Sequence, residues 1–305
     1  MDLADALEEL AGELPARRLA DEVERWQRIY RDPAADLAAA PRLTPEQAIA
    51  YAVYRMPATY AATTAALTEV AAAMPDFAPV SMLDIGAGAG AASWSATDVF
   101  PSMKDITAIE RDPAMRAVGQ RLAERTYVTA DLATKRDFPS ADLAVASYSL
   151  NELSTVDTVI AELARKVQTI VIVEPGTPRG FAGIRAIRRQ LVDLGMRVAA
   201  PCPHDGECPI VDPDWCHFSV RLQRSAVHRR AKRADLGYED EKFSYVAATR
   251  LPVERASARV LRHPQIRSGH VMLRLCRDGI EDVTVSKRQG DAYKRARRIL
   301  WGDAF

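Results

Sequence analysis

The chain has no net charge, since 41 lysines and arginines offset 41 aspartates and glutamates over 305 residues. A surface that is one broad polyanion-binding field is therefore excluded. It also lacks any uninterrupted apolar run of the ~18 residues that a membrane-spanning helix needs. Its first residues, Met1-Asp2-Leu3-Ala4-Asp5, hold no basic segment ahead of an apolar one, so a soluble, unexported protein is expected. There is no internal repeat and no low-complexity tract, and cysteine is limited to four residues. What is present, 48% hydrophobic and 27% charged residues, can fill a core. Disorder, collagen and small disulfide scaffolds are thereby excluded. At the usual ~150 residues per domain the length suggests about two domains, or one domain with extensions.

The neutral total hides a gradient. Residues 1–50 carry 6 basic and 11 acidic side chains, 51–199 carry 15 and 16, and 200–305 carry 20 and 14. Contact with a polyanion belongs at the C-terminal end.

Residues 1–78 read as a helical region. Leu3, Leu7, Leu10 and Leu14 recur at spacings of four and three, and Leu19, Val23, Trp26 and Tyr30 repeat the pattern. Thr44-Pro45-Glu46-Gln47 has the form of a capping box. The helix it starts is expected to stop before Met56-Pro57, because proline disfavours helical geometry in the residue ahead of it. A second helix is expected over 58–74.

From Val80 the periodicity changes to that of βα units. Short apolar runs at 81–85, 105–110, 126–130, 143–147 and 169–173 alternate with helical stretches such as 113–125 and 155–167. This predicts an α/β fold with a parallel, doubly wound sheet covered on both faces, over 79–200 and continued by a strand at 243–250. A cysteine loop and basic insertion follow at 201–242. A β-rich segment with a basic tail closes the chain at 251–305, with strands expected at 258–261, 270–275 and 282–286.

Ser81-Met82-Leu83-Asp84-Ile85-Gly86-Ala87-Gly88-Ala89-Gly90 sets three alternating glycines after an apolar strand and before a helix. Glycine there lets the backbone turn tightly and approach a ligand at the helix N-terminus. The spacing is not the dinucleotide G-x-G-x-x-G. Asp84 could meet a cationic amino group, Glu110 at the next strand end could bond both ribose hydroxyls, and Asp131 could accept from an adenine amino group. Gly86, Gly88, Gly90, Asp84, Glu110 and Asp131 together resemble the S-adenosylmethionine site of class I methyltransferases. Methyl transfer needs in-line placement more than acid or base chemistry. The acceptor belongs at the end of the fourth strand, Ser147-Tyr148-Ser149-Leu150-Asn151-Glu152, where Asn151 and Glu152 could orient it or cap a helix. The Asn/Asp-Pro-Pro-aromatic motif of amine methyltransferases is absent.

Cys202, Cys208, Cys216 and Cys276 all lie in the last third. In a chain expected to stay in the cytosol this suggests a metal rather than disulfides. The first three sit in a proline-rich loop with His204 and His217, and Cys276 returns on a late strand. Zinc and an iron-sulfur cluster both accept four thiolates, although the C-x-x-C pairs of zinc ribbons are missing. Four unrelated cysteines are the plain alternative. Arg221, Arg224, Arg229, Arg230, Lys232 and Arg233 occur with no acid until Asp235, and Lys287, Arg288, Lys294, Arg295, Arg297 and Arg298 form a second cluster. Arginine pairs phosphates and stacks on bases, although such stretches also serve as solvated helix faces.

With these pieces the sequence resembles the mitoribosomal small-subunit assembly factors called methyltransferase-like protein 17 and their bacterial relatives. The resemblance runs from about Tyr51. It rests on Tyr54-Arg55-Met56-Pro57-Ala58-Thr59-Tyr60, the glycine loop, Val173-Glu174-Pro175-Gly176-Thr177-Pro178, the cysteine loop, Lys287-Arg288-Gln289-Gly290-Asp291-Ala292-Tyr293 and Trp301-Gly302-Asp303. It implies a Rossmann-like class I methyltransferase fold, S-adenosylmethionine, a 4Fe-4S cluster on Cys202, Cys208, Cys216 and Cys276, and association with small-subunit ribosomal RNA in a bacterial cytoplasm. A non-enzymatic assembly factor with structural cofactor and cluster, and a small-molecule methyltransferase with a zinc knuckle, are the alternative expectations.

Overall fold

The computed structural model describes residues 2–31, 42–135, 137–151 and 153–305. Three helices open the chain, α1 (Leu3–Ala11), α2 (Ala16–Arg31) and α3 (Pro45–Ala73). Leu3, Leu7, Leu10, Leu19, Val23 and Trp26 of the expected stripes are buried, whereas Leu14 lies past the end of α1 and is only partly buried, and the Tyr30 side chain is outside what the structure describes. The capping box forms as read. Thr44 Oγ1 accepts from the Gln47 N–H at 3.3 Å, and Gln47 Oε1 accepts from the Thr44 N–H at 3.1 Å.

The expected helix break at Met56-Pro57 does not occur, because Pro57 lies inside one 29-residue helix. Proline in a helix interior removes a backbone bond and crowds the preceding turn, at ~3 kcal/mol or more. Val53, Met56 and Ala58 beside it are at most 3% exposed, and α3 packs on α1 and α2. Each buried aliphatic side chain contributes roughly 1.5–3 kcal/mol, so packing along the helix outweighs one proline.

The main sheet comprises β1 (Ser81–Ile85), β2 (Asp105–Ile109), β3 (Thr126–Val128), β4 (Ala141–Ser147), β5 (Val167–Pro175), β6 (Arg197–Ala200), β7 (Phe218–Gln223) and β8 (Tyr238–Thr249). Its order is β3-β2-β1-β4-β5-β8-β6, with β7 also paired to β8. The five strands read from the sequence are parallel. β8 runs antiparallel to β5, β6 and β7, which corrects the expectation of a wholly parallel sheet. The reason lies in the connection from β7, which returns through the one-and-a-half-turn helix α8 (Ala226–Ala231) rather than through a crossover that would keep the strands parallel.

Side chains alternate across each strand. Leu83, Ile85, Ala144, Ala146, Ile170 and Ile172 pack against α6 (Val156–Lys166) and α7 (Pro178–Asp193). Met82, Leu143, Val145, Val171 and Val173 pack against α3 and α4 (Ala91–Val99). Helix α5 (Pro113–Leu122) rests on α1 and α3. The ends of β1, β2 and β4 thus meet at the loop leading into α4.

A second, antiparallel sheet follows, built from β9 (Arg259–Val260), β10 (Gln265–Arg267), β11 (His270–Cys276) and β12 (Ile280–Ser286). A 3-10 turn (Lys287–Gln289) and α9 (Asp291–Ala296) close it. Val260, Val271, Leu273, Leu275, Tyr293 and Ala296 form its core. Arg259, 6% exposed, ties this sheet to the rest. Its guanidinium donates to the Pro201 carbonyl (2.8 Å), the Gly302 carbonyl (2.8 Å) and the Glu69 carboxylate (2.5 Å). Among the described residues no helix is long and apolar enough to cross a membrane.

Candidate functional site

The glycine loop closes as its residue types require. Gly86, Gly88 and Gly90 have φ of +67°, +54° and +90°, a region that side chains with a Cβ rarely adopt. A Cβ on Gly86 would come within 2.5 Å of Ser149 Cβ, so the glycine loop and the segment after β4 touch here. Glu110 reaches back from the end of β2. Its Oε2 accepts from the Gly88 N–H at 2.9 Å and its Oε1 from the Asp112 N–H at 2.8 Å. Burial raises its pKa, and those backbone donors oppose the rise.

Asp84 stands elsewhere than expected. It is 1% exposed, and its Oδ2 accepts from the Ser93 N–H (3.0 Å) and Ser93 Oγ (2.5 Å). The carboxylate anchors the first turn of α4 instead of opening toward a ligand's amino group. Burial pushes its pKa up to about 6, although the Ser93 bonds and Arg125 pull it down. Asp131, beyond β3, is the most open of the three acids. Its Oδ1 accepts from the Ala133 N–H at 2.9 Å and its Oδ2 lies 3.9 Å from Arg111.

At the end of β4, Asn151 is present but its amide is already engaged. Its Nδ2 donates to Glu174 Oε2 at 2.6 Å, while Glu174 Oε1 accepts from the Leu150 N–H at 3.0 Å. Glu152 lies outside the described residues. Tyr148 has φ +57°, unusual for an aromatic residue and a form of strain that the surroundings must hold in place. Its hydroxyl donates to Glu241 Oε1 at 2.8 Å, and Arg55 pairs with the same carboxylate at 3.1 Å. Sequence reading missed Tyr148, Glu174 and Glu241, whose roles come from partners 23 to 93 residues away.

The four cysteines line one pocket between the two sheets, together with Arg188 and His204. Among the described residues, however, no group of three or more His, Cys, Asp or Glu is placed to hold a metal ion. The donor chemistry of the pocket still fits a thiolate-bound group. No carboxylate lines it, and among the described residues the buried Arg188 Nε has no hydrogen-bond partner. Burial raises the Cys202 pKa, although Arg188 and Arg259 oppose the rise. Burial raises Cys216 and pushes Cys276 up to about 12. His217 stacks on Trp215 with ring centres 5.0 Å apart and meets Trp301 edge-on at 4.8 Å.

The first basic cluster is largely answered by acids from other segments. Arg221 pairs with Asp240 (2.7 Å), Arg224 and Lys232 with Glu239 (2.8 and 2.5 Å), and Arg233 with Asp21 and Glu24 (2.9 and 2.7 Å). Arg229 and Arg230 remain exposed. In the second cluster Lys294 pairs with Asp291 (2.9 Å) and the Arg295 guanidinium lies 4.5 Å from the centre of the Phe305 ring. Lys287, Arg288, Arg297 and Arg298 are exposed, with no acidic partner among the described residues.

A parallel β3-β2-β1-β4-β5 core, an antiparallel strand set between β5 and β6, and a glycine loop gripped by an acid from the second strand define a class I methyltransferase-like protein. Within that class the chain belongs to the Rsm22 family, whose model, described as mitochondrial small ribosomal subunit Rsm22, matches residues 45–305. The human ribosome assembly protein METTL17, mitochondrial, is 29% identical over 289 residues, covering 84% of this chain and 61% of that protein. Rsm22-cox11 tandem protein 2, mitochondrial, of Schizosaccharomyces pombe is 26% identical over 328 residues, covering 86% of this chain and 43% of that protein. The chain thus spans about half the length of these relatives. Among solved structures, a precorrin-6y C5,15-methyltransferase from Geobacter metallireducens superposes with a TM-score of 0.42 at 17% identity, over 62% of this chain and 88% of that one.

Proposed function

We propose that this protein binds S-adenosylmethionine at the glycine loop and acts on or with small-subunit ribosomal RNA, or its assembly intermediate, as a methyltransferase-like assembly factor. The observation that carries the reading is Gly88, whose backbone sits in the left-handed region with its N–H held by Glu110. An acid at the second strand end, beside a loop without side chains, suits a ribose and an approaching nucleoside. Asp131, half exposed at the third strand end, would face the base. Calorimetry with S-adenosylmethionine tests this. Glu110→Ala is expected to weaken binding by ~1.5–3 kcal/mol, the range for a charged acceptor. Unchanged affinity would move the cofactor elsewhere.

Cys202, Cys208, Cys216 and Cys276 are the proposed ligands of a 4Fe-4S cluster, with zinc as the alternative. The four cysteine thiolates would hold such a group and through it tie the loop at 201–217 to β11, and Arg188 and Arg259 would offset the negative charge of the thiolates. Protein purified without oxygen is expected to absorb broadly near ~400 nm and to contain about four irons per chain. One zinc and no iron would replace the cluster, and neither metal would remove both.

The RNA-facing surface we favour is the C-terminal one, Lys287, Arg288, Arg297 and Arg298, because these exposed charges have no acidic partner among the described residues. A non-enzymatic assembly factor is the second reading. It is favoured by the engaged state of Asn151 and by Ser149, whose Oγ donates to the Ile85 carbonyl at 2.7 Å. Sequencing RNA crosslinked to the protein, with a search for methyl marks lost in a deletion strain, separates the two.

A further inference from the structure

We propose that Tyr127 and Arg125 are positioning residues of the cofactor loop, holding the carbonyls of Gly88 and Gly90 so that the loop is preformed for a nucleoside ligand. This rests on the reading of the loop as an S-adenosylmethionine site. Tyr127 Oη donates to the Gly88 carbonyl at 3.2 Å, and Arg125 Nη1 donates to the Gly90 carbonyl at 3.2 Å. The Gly88 N–H is meanwhile held by Glu110. One glycine is therefore gripped on its donor side from β2 and on its acceptor side from β3.

The fold makes room for this grip. Gly119 lies in the interior of α5, where glycine weakens a helix. A Cβ built there would fall on the Tyr127 phenol oxygen, so glycine is what lets the phenol pass the helix and reach the loop. A Cβ on Gly90 would come within 2.8 Å of Arg125 Nη1 and 3.1 Å of Tyr127 Oη. The Arg125 guanidinium also lies 5.3 Å from the centre of the Trp94 ring in the first turn of α4. Three glycines at alternating positions leave the loop with much backbone freedom to lose when it is ordered. Side-chain donors that fix their carbonyls reduce the ordering that a ligand must otherwise impose.

Tyr127→Phe keeps the ring and removes only the hydroxyl. It is expected to weaken S-adenosylmethionine binding about three- to tenfold in calorimetry, because the ligand must then order the loop itself, and to lower the melting temperature only slightly, for the one neutral hydrogen bond lost. Arg125→Ala should weaken binding at least as much, and Arg125→Lys, which restores a donor, should recover part of it. Wild-type affinity in both Tyr127→Phe and Arg125→Ala overturns the proposal. If the folded wild type does not bind S-adenosylmethionine, the cofactor reading fails, and amide hydrogen exchange across 86–90 decides the latch by itself. Faster exchange of the Gly88 and Gly90 segment in Tyr127→Phe supports it, and identical exchange overturns it.

Discussion

Asp84 is the penultimate residue of β1, just before the glycine loop, with Ser93 supplying two donors to one of its oxygens. Because burial raises its pKa to about 6, above the 3.8 of an unfolded chain, the folded state prefers the protonated form. Its contribution to stability is complete below pH ~3.8 and is lost as the pH rises through ~6. Asp84→Asn keeps an oxygen for the Ser93 N–H and cannot ionise. Relative to wild type this variant should therefore gain stability between pH 4 and 7, by on the order of 2 kcal/mol. Melting temperatures of both proteins across that range check it, and parallel curves would mean that Asp84 does not titrate there.

Helix α3 carries a proline that local rules place at a boundary, and its continuity comes from what lies against it. Pro57→Ala restores a donor for the preceding turn and is expected to stabilise the fold by about 1 kcal/mol, less than the full proline penalty because the unfolded chain also gains freedom. The midpoint of urea unfolding measures this, and a lowered midpoint would show that the ring's packing matters more than the missing bond. The stretch 221–233 illustrates the opposite case, a basic segment in which Arg221, Arg224, Lys232 and Arg233 are answered by acids from other elements. Partial burial raises the Glu239 pKa, yet its bonds to Lys232 and Arg224 bring it below the ordinary range. Arg224 and Lys232 therefore act within the structure.

For the molecule as a whole, the net positive charge of the last third is exposed mainly at the C-terminal sheet. Replacing Lys287, Arg288, Arg297 and Arg298 together by glutamine should lower RNA affinity and flatten its salt dependence by at most ~0.7 per lost phosphate contact on single strands. Arg224→Ala should leave that slope unchanged and instead lower stability by about 1 kcal/mol, because it removes one of two cationic partners from the half-buried Glu239 carboxylate. Filter binding over a salt series and thermal unfolding separate the two effects. An unchanged slope in the fourfold variant would return the RNA surface to another face. Arg259 and the cysteine pocket between the sheets set the relation of that surface to the methyltransferase-like core, since Arg259 bonds residues of α3, the cysteine loop and the C-terminal turn at once.

Periodicity, turn chemistry and capping were legible in the amino-acid order alone, because these are local properties of backbone and side chain. The stripes of α1 and α2, the Thr44 cap, the five parallel strands and the glycine loop with Glu110 beside it follow from residues within about 25 positions of one another. Which side chains pair with one another had no such signal, even between residues close in the chain. Pro57 stays helical through packing, β8 reverses the sheet, Asp84 serves Ser93, Asn151 is held by Glu174, and Arg221, Arg224, Lys232 and Arg233 meet acids supplied by β8 and α2. Gly119 was the one local mark of the loop's latch, and its meaning depends on Tyr127 crossing α5. Burial and ion pairing are relations between segments brought together only by folding, so the tertiary structure alone decided which charged residues hold the fold and which remain open to a partner.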